Sequence, residues 1–213
     1  MRDIPMFTTE NGVASIILKN VPYNSCAYIR IQDACEEVIF LRECYDFCKA
    51  AGAEQVFATG MKAPVQFPLH TEVWEMTGFR SDIPASDAVL ASVTSETLEL
   101  WRQYYNQRMK GIPMATFLSI ADANELLTMK KAYMVYRGET CIGLGIACVN
   151  RIDAVISLVS GEGRHVFLAL CNVLTEDRLC LEVASENLRA ISLYKQFGFK
   201  RTDVLSRWYQ ISF

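Results

Sequence analysis

Clustered positive charge and long apolar runs are both missing from this sequence of 213 residues. Lysine and arginine are scattered and the formal net charge is −3, so we expect no basic surface for binding nucleic acid. No apolar run approaches the roughly 20 residues that span a bilayer, and no secretory leader is recognisable at the start. These absences argue against a nucleic-acid-binding or membrane protein, and we expect a cytoplasmic location.

Metal ligands are scarce as well. The chain has two histidines, His70 and His165, and no Cys-x-x-Cys pair. Cys44 and Cys48 are one helical turn apart, but two thiols are too few for a structural metal site. Most of the eight cysteines lie in apolar segments, so we predict reduced core residues and no metal.

The second half of the chain has the clearer pattern of secondary structure. Apolar spacing and turn residues predict helices over 95–110 and 122–131, followed by an antiparallel meander of strands over 132–137, 140–149 and 153–159. A helix that residues 160–163 open and that runs through 165–171, a strand over 179–184, a helix over 186–197 and a strand over about 204–212 follow. Strand, helix and strand in this order predict a parallel pair with a right-handed crossover.

The first half repeats this order more weakly. Strands are predicted over 12–18, 27–31 and 55–59, with a helix over 36–50 and a second helix over 69–80. If Gly78-Phe79 is aligned with Gly198-Phe199, Trp74 falls on Tyr194, and we interpret Trp74 and Phe79 as core residues. Residues 81–94 are the candidate linker.

The most regular segment is LEVASENLRAISLYKQFGFKR, residues 181–201. Strands in parallel sheets are usually apolar throughout, and Glu182 interrupts this one. In a poorly solvated cleft, the Glu182 carboxylate would suit a general base. Its alternative role is an ion pair with an arginine at the strand edge, which position alone favours.

The helix that follows has an apolar stripe and a glycine end. Ala190, Leu193, Tyr194 and Phe197 recur at helical spacing, and Gly198 suits the left-handed position after the last turn. Periodicity alone makes Tyr194 a core tyrosine whose hydroxyl bonds to whatever is nearest.

This segment resembles the acetyl-CoA-binding part of the GNAT superfamily of N-acetyltransferases. The family pattern is a strand ending L-x-V, then Asn, then A-I-x-L-Y-x-x-x-G-F, and every element of it is present in LEVASENLRAISLYKQFGF. The resemblance implies an α/β fold of the α+β type, with a mixed, mostly antiparallel central sheet, flanking helices and a parallel strand pair that forms the CoA cleft. It covers residues 91–213, which we interpret as a GNAT acetyltransferase domain.

The resemblance also assigns roles to residues. Tyr194 would hydrogen-bond the CoA sulfur and act as general acid, and Asn187 would contact the pantetheine arm. In the ribosomal-protein alanine acetyltransferases of this family, the Glu of L-E-V is the general base, which makes Glu182 the candidate base here. Because a protonated amine cannot attack a thioester and the departing sulfur profits from a proton, an acid and a base suit this chemistry.

A second family motif is altered here. GNAT enzymes usually have Q/R-x-x-G-x-G/A before a helix, where backbone N–H groups bind the CoA pyrophosphate. This chain keeps Gly161 and Gly163 but lacks the leading Gln or Arg, and Glu162 adds a negative charge that Arg164 or His165 would offset. The residues to which the resemblance assigns CoA binding are Leu158, Val159, Gly161, Gly163, Arg164, His165, Val166, Asn187, Ala190 and Tyr194.

The first half lacks these chemical groups. Its corresponding loop, 31–37, has no glycine and three acids, so we interpret residues 1–90 as a degenerate GNAT-like half-domain. The family's acceptor pocket would fall on residues 101–105 and 115–117, where packing is the simpler explanation of the aromatic side chains.

Three functions follow. The first is an N-acetyltransferase that uses acetyl-CoA and a small-molecule or peptide amine, with a homodimer as an allowed assembly. The second, suggested by the altered loop, is a catalytically impaired acyl-CoA-binding sensor or scaffold. The third is an interaction protein with no CoA site.

Overall fold

The computed structural model describes residues 3–61, 66–112 and 114–213. The chain forms two compact units: Met1–Val73 together with Val204–Phe213 is the first, and Trp74–Asp203 is the second. Two strands, β5 (Leu69–Phe79) and β11 (Lys200–Ile211), each supply residues to both units. The interpretation of residues 1–90 as a degenerate half-domain concerns family relation and stays a prediction.

The first unit consists of a mixed sheet and a helix that packs on it. Its strands run in the order β1-β2-β3-β4-β11, and all neighbours are antiparallel except β3 and β4. Helix α2 joins this parallel pair and buries Phe40, Leu41, Cys44 and Cys48 in the core, one apolar stripe at helical spacing. The elements are β1 (Ile4–Thr9), β2 (Gly12–Ile17), α1 (Val21–Asn24), β3 (Cys26–Ala34), α2 (Glu37–Ala50) and β4 (Gln55–Thr59).

The second unit is a mixed sheet with helices on both faces. Its strand order is β5-β10-β9-β8-β7-β6, in which β9 and β10 are parallel and β6 to β9 are antiparallel neighbours. One core contains α5 and α6, and the other contains α3 and α4. The elements are β6 (Val89–Ser92), α3 (Leu98–Met109), α4 (Ile120–Thr128), β7 (Ala132–Arg137), β8 (Thr140–Cys148), β9 (Arg151–Ser157), α5 (Gly163–Asn172), β10 (Arg178–Ala184) and α6 (Leu188–Gln196).

The sequence predictions for residues 95–197 are confirmed. The meander, the crossover helix, the parallel pair and the final helix all form within a few residues of the predicted bounds. The predicted fold class, a mixed and mostly antiparallel sheet with flanking helices, is therefore confirmed as well.

The predicted helix over 69–80 is wrong, because this segment is the strand β5. Trp74 and Met76 belong to the core beside α5 and α6, and Gly78 is buried on the same face, which is the alternation of a strand. A side chain at Gly78 would come within 2.6 Å of the Phe199 ring, so this glycine permits close packing instead of ending a helix. Trp74 is only partly buried, and Phe79, predicted to be core, is 58% exposed.

Two smaller predictions also need correction. The candidate linker, residues 81–94, contains β6, which pairs with β7 at the edge of the sheet. All eight cysteines are free, but only Cys26, Cys44, Cys48 and Cys171 are buried, and Cys35 is exposed. No helix in the described ranges is both long and apolar enough to cross a membrane.

Candidate active site

The parallel strands β9 and β10 diverge soon after they meet. They pair at only two positions, Arg151 with Cys180 and Ile152 with Leu181. The next residue of β9, Asp153, is an extra residue opposite β8, where Ile146 pairs with Ala154 and Ala147 with Ile152. Such a bulge bends a strand, so beyond the last pair the facing edges of β9 and β10 are open. This opening between the two strands is called the cleft below.

Side-chain alternation gives the cleft two distinct sides. Leu179, Leu181 and Val183 of β10 lie in the core with α5 and α6, so Cys180 and Glu182 point to the face that carries α3 and α4. Arg151 shares this second face because it pairs directly with Cys180.

A loop of unbonded backbone amides lies between β9 and α5. Within the described chain, the N–H groups of residues 160, 161, 163, 164 and 165 donate to no backbone carbonyl, and no side chain caps α5. Gly161 has φ +86°, a conformation that favours glycine, and open space lies beside it. Free amides at a helix N-terminus, where the helix dipole is positive, form a suitable site for an anion.

The acidic residue of this loop is neutralised by a residue that the sequence did not indicate. Arg137, the last residue of β7, donates from Nη1 to both carboxylate oxygens of Glu162, at 3.2 and 3.4 Å. Arg137 Nε also donates to Asp87 Oδ2 at 3.0 Å, and His165 Nδ1 lies 2.7 Å from Asp87 Oδ1. These contacts hold the pKa of the Asp87 carboxyl below its usual value, chiefly through the His165 hydrogen bond. Arg164, by contrast, lies 5.3 Å above the Phe197 ring.

Tyr194 lies on the α5 and α6 side with its ring in the core. The ring centroid is 5.2 Å from that of Phe167 and 6.3 Å from that of Phe199. Its hydroxyl bonds to no residue that the structure describes, and burial raises the pKa of this phenol. The hydroxyl is therefore protonated and has no hydrogen-bond partner among the described residues.

Asn187 caps α6. Its side-chain oxygen accepts a hydrogen bond from the Ala190 N–H at 3.2 Å, while its amide nitrogen has no partner within the described residues. The predicted contact with pantetheine would therefore use the amide nitrogen of Asn187.

Glu182 forms the ion pair that its position in the sequence favours. Arg151 Nη2 donates to Glu182 Oε1 at 2.5 Å, Arg151 Nε donates to Asp153 Oδ1 at 2.6 Å, and the Glu182 contact is the main cause of a raised pKa for Arg151. The Arg151 and Glu182 side chains are each 41% exposed, so the pair lies at the solvated mouth of the cleft.

The remaining predicted CoA-binding residues differ in accessibility. Leu158 is half-buried, and Arg108 donates to its carbonyl oxygen at 2.5 Å. Val159 is exposed, whereas the Val166 side chain is entirely buried, which leaves only its backbone near the loop. Two aromatic residues of the expected acceptor region, Trp101 and Phe117, are fully buried packing residues.

The described residues contain no group of three or more His, Cys, Asp or Glu side chains that could hold a metal ion. The groups available for binding are thus the open strand edges, the loop amides, and the side chains of Tyr194, Asn187 and Glu182. Together they suit an elongated, anionic ligand with its phosphate at the loop.

Among the comparisons with known proteins, the one with solved structures identifies the fold. No protein-family profile matches the chain, and no curated protein matches its sequence. The chain is similar in structure to a GCN5-related N-acetyltransferase from Anabaena variabilis (10% identity, 94% of this chain and 59% of that chain, TM-score 0.63). It is also similar to one from Sphaerobacter thermophilus (11%, 93% and 75%, 0.55) and to a GNAT-family acetyltransferase from Colwellia psychrerythraea (11%, 97% and 84%, 0.51). The chain therefore has the fold of the GNAT acetyltransferases.

Proposed function

We propose that the chain is an N-acetyltransferase that moves the acetyl group of acetyl-CoA to a primary amine by direct attack. The observation that carries this proposal is the row of unbonded amides at the start of α5, directly after the strand β9 that opens away from β10. Phosphate oxygens would accept from these amides, and the pantetheine arm would extend along the open strand edges. Residues 91–213 would contain this site, with residues 1–90 as a non-catalytic GNAT-like half.

The two sides of the cleft separate the two proton transfers. Acetyl-CoA would supply an activated acetyl thioester. Tyr194, from the α5 and α6 side, would donate its hydroxyl proton to the departing sulfur as the C–S bond breaks. Glu182, on the opposite face, would accept the proton that the amine loses as the C–N bond forms, directly or through a water. Because Arg151 already donates to Oε1 of this carboxylate, the amine or the water would approach its other oxygen, Oε2.

The same ion pair favours a second candidate function. A carboxylate that is engaged by a guanidinium is also the arrangement of an ordinary structural ion pair, so a catalytically impaired acyl-CoA-binding sensor would have it as well. In such a protein the loop and the cleft would bind the thioester without transfer.

A thermal-shift measurement followed by a transfer assay separates these candidates. CoA at 100 times its dissociation constant stabilises the bound state by about 2.7 kcal/mol, which is a rise of about 5–10 °C in melting temperature for a chain of this size. The acetyltransferase predicts this rise and the release of free CoA thiol from acetyl-CoA when amines are present. A rise without thiol release across a broad amine panel favours the sensor, and no rise at millimolar CoA contradicts both.

A further inference from the structure

The face that carries α3 and α4 collects charged side chains around the mouth of the cleft. Glu75 of β5 and Arg178 of β10 share this face with Glu182 and Arg151, since Trp74 and Met76 of β5 and Leu179 of β10 point into the opposite core. Both Glu75 of β5 and Arg178 of β10 also act electrostatically on the Cys180 thiol of β10.

The side chains that β5, β9 and β10 place on this face carry more negative than positive charge. Three carboxylates, Glu75, Asp153 and Glu182, stand against the two guanidinium groups of Arg151 and Arg178. Arg151 already shows how the face holds a cation, because Asp153 and Glu182 accept from two of its nitrogens, at 2.6 and 2.5 Å. Each carboxylate has two acceptor oxygens, so both Asp153 and Glu182 can still accept a hydrogen bond from a further donor.

A buried tyrosine points toward the same charges. Tyr105 of α3 is only 5% exposed and packs in one core with Ala154 and Ile156 of β9, the residues just past the Asp153 bulge. Its ring is fixed beside Trp101, with centroids 5.4 Å apart. The hydroxyl forms no hydrogen bond within the described residues, and the pKa of this phenol is raised chiefly by burial and further by the carboxylates of Asp153 and Asp122.

Buried hydroxyl groups without a partner are uncommon, because a hydroxyl that loses its contact with water and gains no hydrogen bond destabilises the folded state. No buried side-chain oxygen or nitrogen in the described residues is both sealed from solvent and unbonded. The Tyr105 hydroxyl therefore retains some contact with solvent. It lies on the acceptor side of the cleft, away from Tyr194.

From this arrangement we infer that the acceptor is an amine with a second positive charge, bound through Asp153 and the Tyr105 hydroxyl with its reacting nitrogen near Glu182. This inference rests on the proposed function for the reaction, but the binding site itself does not depend on turnover. An acceptor with a carboxylate near its amine is disfavoured, since it would meet an excess of like charge.

Three primary amines with the same number of carbon atoms test the preference for a second positive charge. 1,4-Diaminobutane, butylamine and 4-aminobutanoate share a reacting primary amine on a four-carbon chain and differ in the charge of the far end. With the full chain and acetyl-CoA, kcat/KM should be at least tenfold higher for the diamine than for butylamine, and lowest for 4-aminobutanoate. Equal values, or a preference for 4-aminobutanoate, overturn the inference.

The same amines separate this inference from the proposed function. If none is acetylated, their binding to the protein is measured by calorimetry with and without CoA. The same order of affinities supports the cationic site even though the transferase proposal fails. Equal affinities, or no binding of the diamine, overturn the site whatever the outcome for CoA.

Paired variants locate the site. Asp153→Asn should reduce the ratio of kcat/KM for the diamine to kcat/KM for butylamine to near one. Glu176→Gln, which removes an exposed charge outside the cluster, should preserve this ratio.

Tyr105→Phe keeps the ring and should raise KM for the diamine about three- to tenfold, the usual effect of one lost hydrogen bond, with kcat and melting temperature little changed. Tyr104→Phe, its half-exposed neighbour on α3, is the control. An unchanged KM in Tyr105→Phe contradicts the role of its hydroxyl.

Discussion

Tyr194 and Glu182 show how far one residue's place in a periodic pattern determines its chemistry. The helical stripe correctly predicts that the Tyr194 ring is buried, but a stripe contains no information about the hydroxyl. Only the packed structure shows that the Phe167 and Phe199 rings are its aromatic neighbours and that no described residue bonds the oxygen. For Glu182, the alternation of side chains along β10 predicts the face of the sheet on which it lies. The pairing register of β9 and β10 then places Arg151 beside it as its ion-pair partner.

Removing the Tyr194 hydroxyl should separate binding from turnover. Tyr194→Phe keeps the buried ring, so CoA should still raise the melting temperature, while kcat should fall by about a hundredfold, the low end of the range for general acid catalysis. Because burial raises the pKa of Tyr194, the unchanged enzyme should show no loss of rate from its ionisation between pH 7 and 9. Tyr133→Phe, which removes a hydroxyl that donates to the Lys130 carbonyl, is the matched control. Full turnover by Tyr194→Phe would rule out the acid role.

At the scale of elements, sequence patterns work where local signals agree. The strands β7 to β10 and the helices α5 and α6 were predicted because turn residues separate segments of clear period. The helix prediction for residues 69–80 is wrong because Leu69, Val73 and Met76 also fit a helical spacing and Gly78 resembles a helix end. The contact that explains Gly78, the Phe199 ring, is 121 positions away in the chain, and no local pattern reports it.

The loop before α5 shows that local sequence patterns also miss ion-pair partners that are distant in the sequence. Gly161 and Gly163 were found from the sequence, because a turn into a helix needs them locally. The partner of Glu162 was missed, since Arg137 lies 25 residues earlier and reaches the loop only through the fold. With Arg137 in place, Glu162 does not present an unneutralised charge to a bound phosphate.

Glycine at position 161 should matter for CoA binding beyond its effect on stability. Gly161→Ala places a side chain at φ +86°, which costs about 1–2 kcal/mol and displaces the free amides. We expect CoA affinity to fall about tenfold or more, as for one lost hydrogen bond to a charged group. Gly138→Ala is the control, because Gly138 also has positive φ (+59°) and open space around it but lies in the β7–β8 turn.

Calorimetric CoA titrations and melting temperatures of both variants test this expectation. Both glycine substitutions should destabilise the protein by similar amounts, and only Gly161→Ala should weaken CoA binding. Equal CoA affinities in the two variants would remove the loop from the proposed site.

On the scale of the whole molecule, the described residues form a parallel strand pair in each unit, and the two pairs differ. In the first unit β3 and β4 pair at five consecutive positions, from Cys26 with Gln55 to Arg30 with Thr59. In the second unit β9 and β10 pair at two. A continuous ladder uses the backbone groups that an open pair leaves for a ligand. The sequence predicted the pair of the second unit from its strand-helix-strand order and found only a weaker repeat of that order in the first half; it did not predict this difference, which depends on pairing register and on the bulge at Asp153.

One CoA should therefore bind per chain, although both units contain a parallel pair joined by a helix. The segment before α2 offers no second phosphate site: the Cys35 N–H donates to the Asn11 carbonyl, and Glu36 and Glu37 place two acids at the helix start. Calorimetric titration of the full chain with CoA should give a stoichiometry of one. Gly161→Ala should weaken this single transition and leave no second one of unchanged affinity. A stoichiometry of two, or a CoA site that survives Gly161→Ala intact, would show that a closed ladder does not prevent binding and would place a site in the first unit.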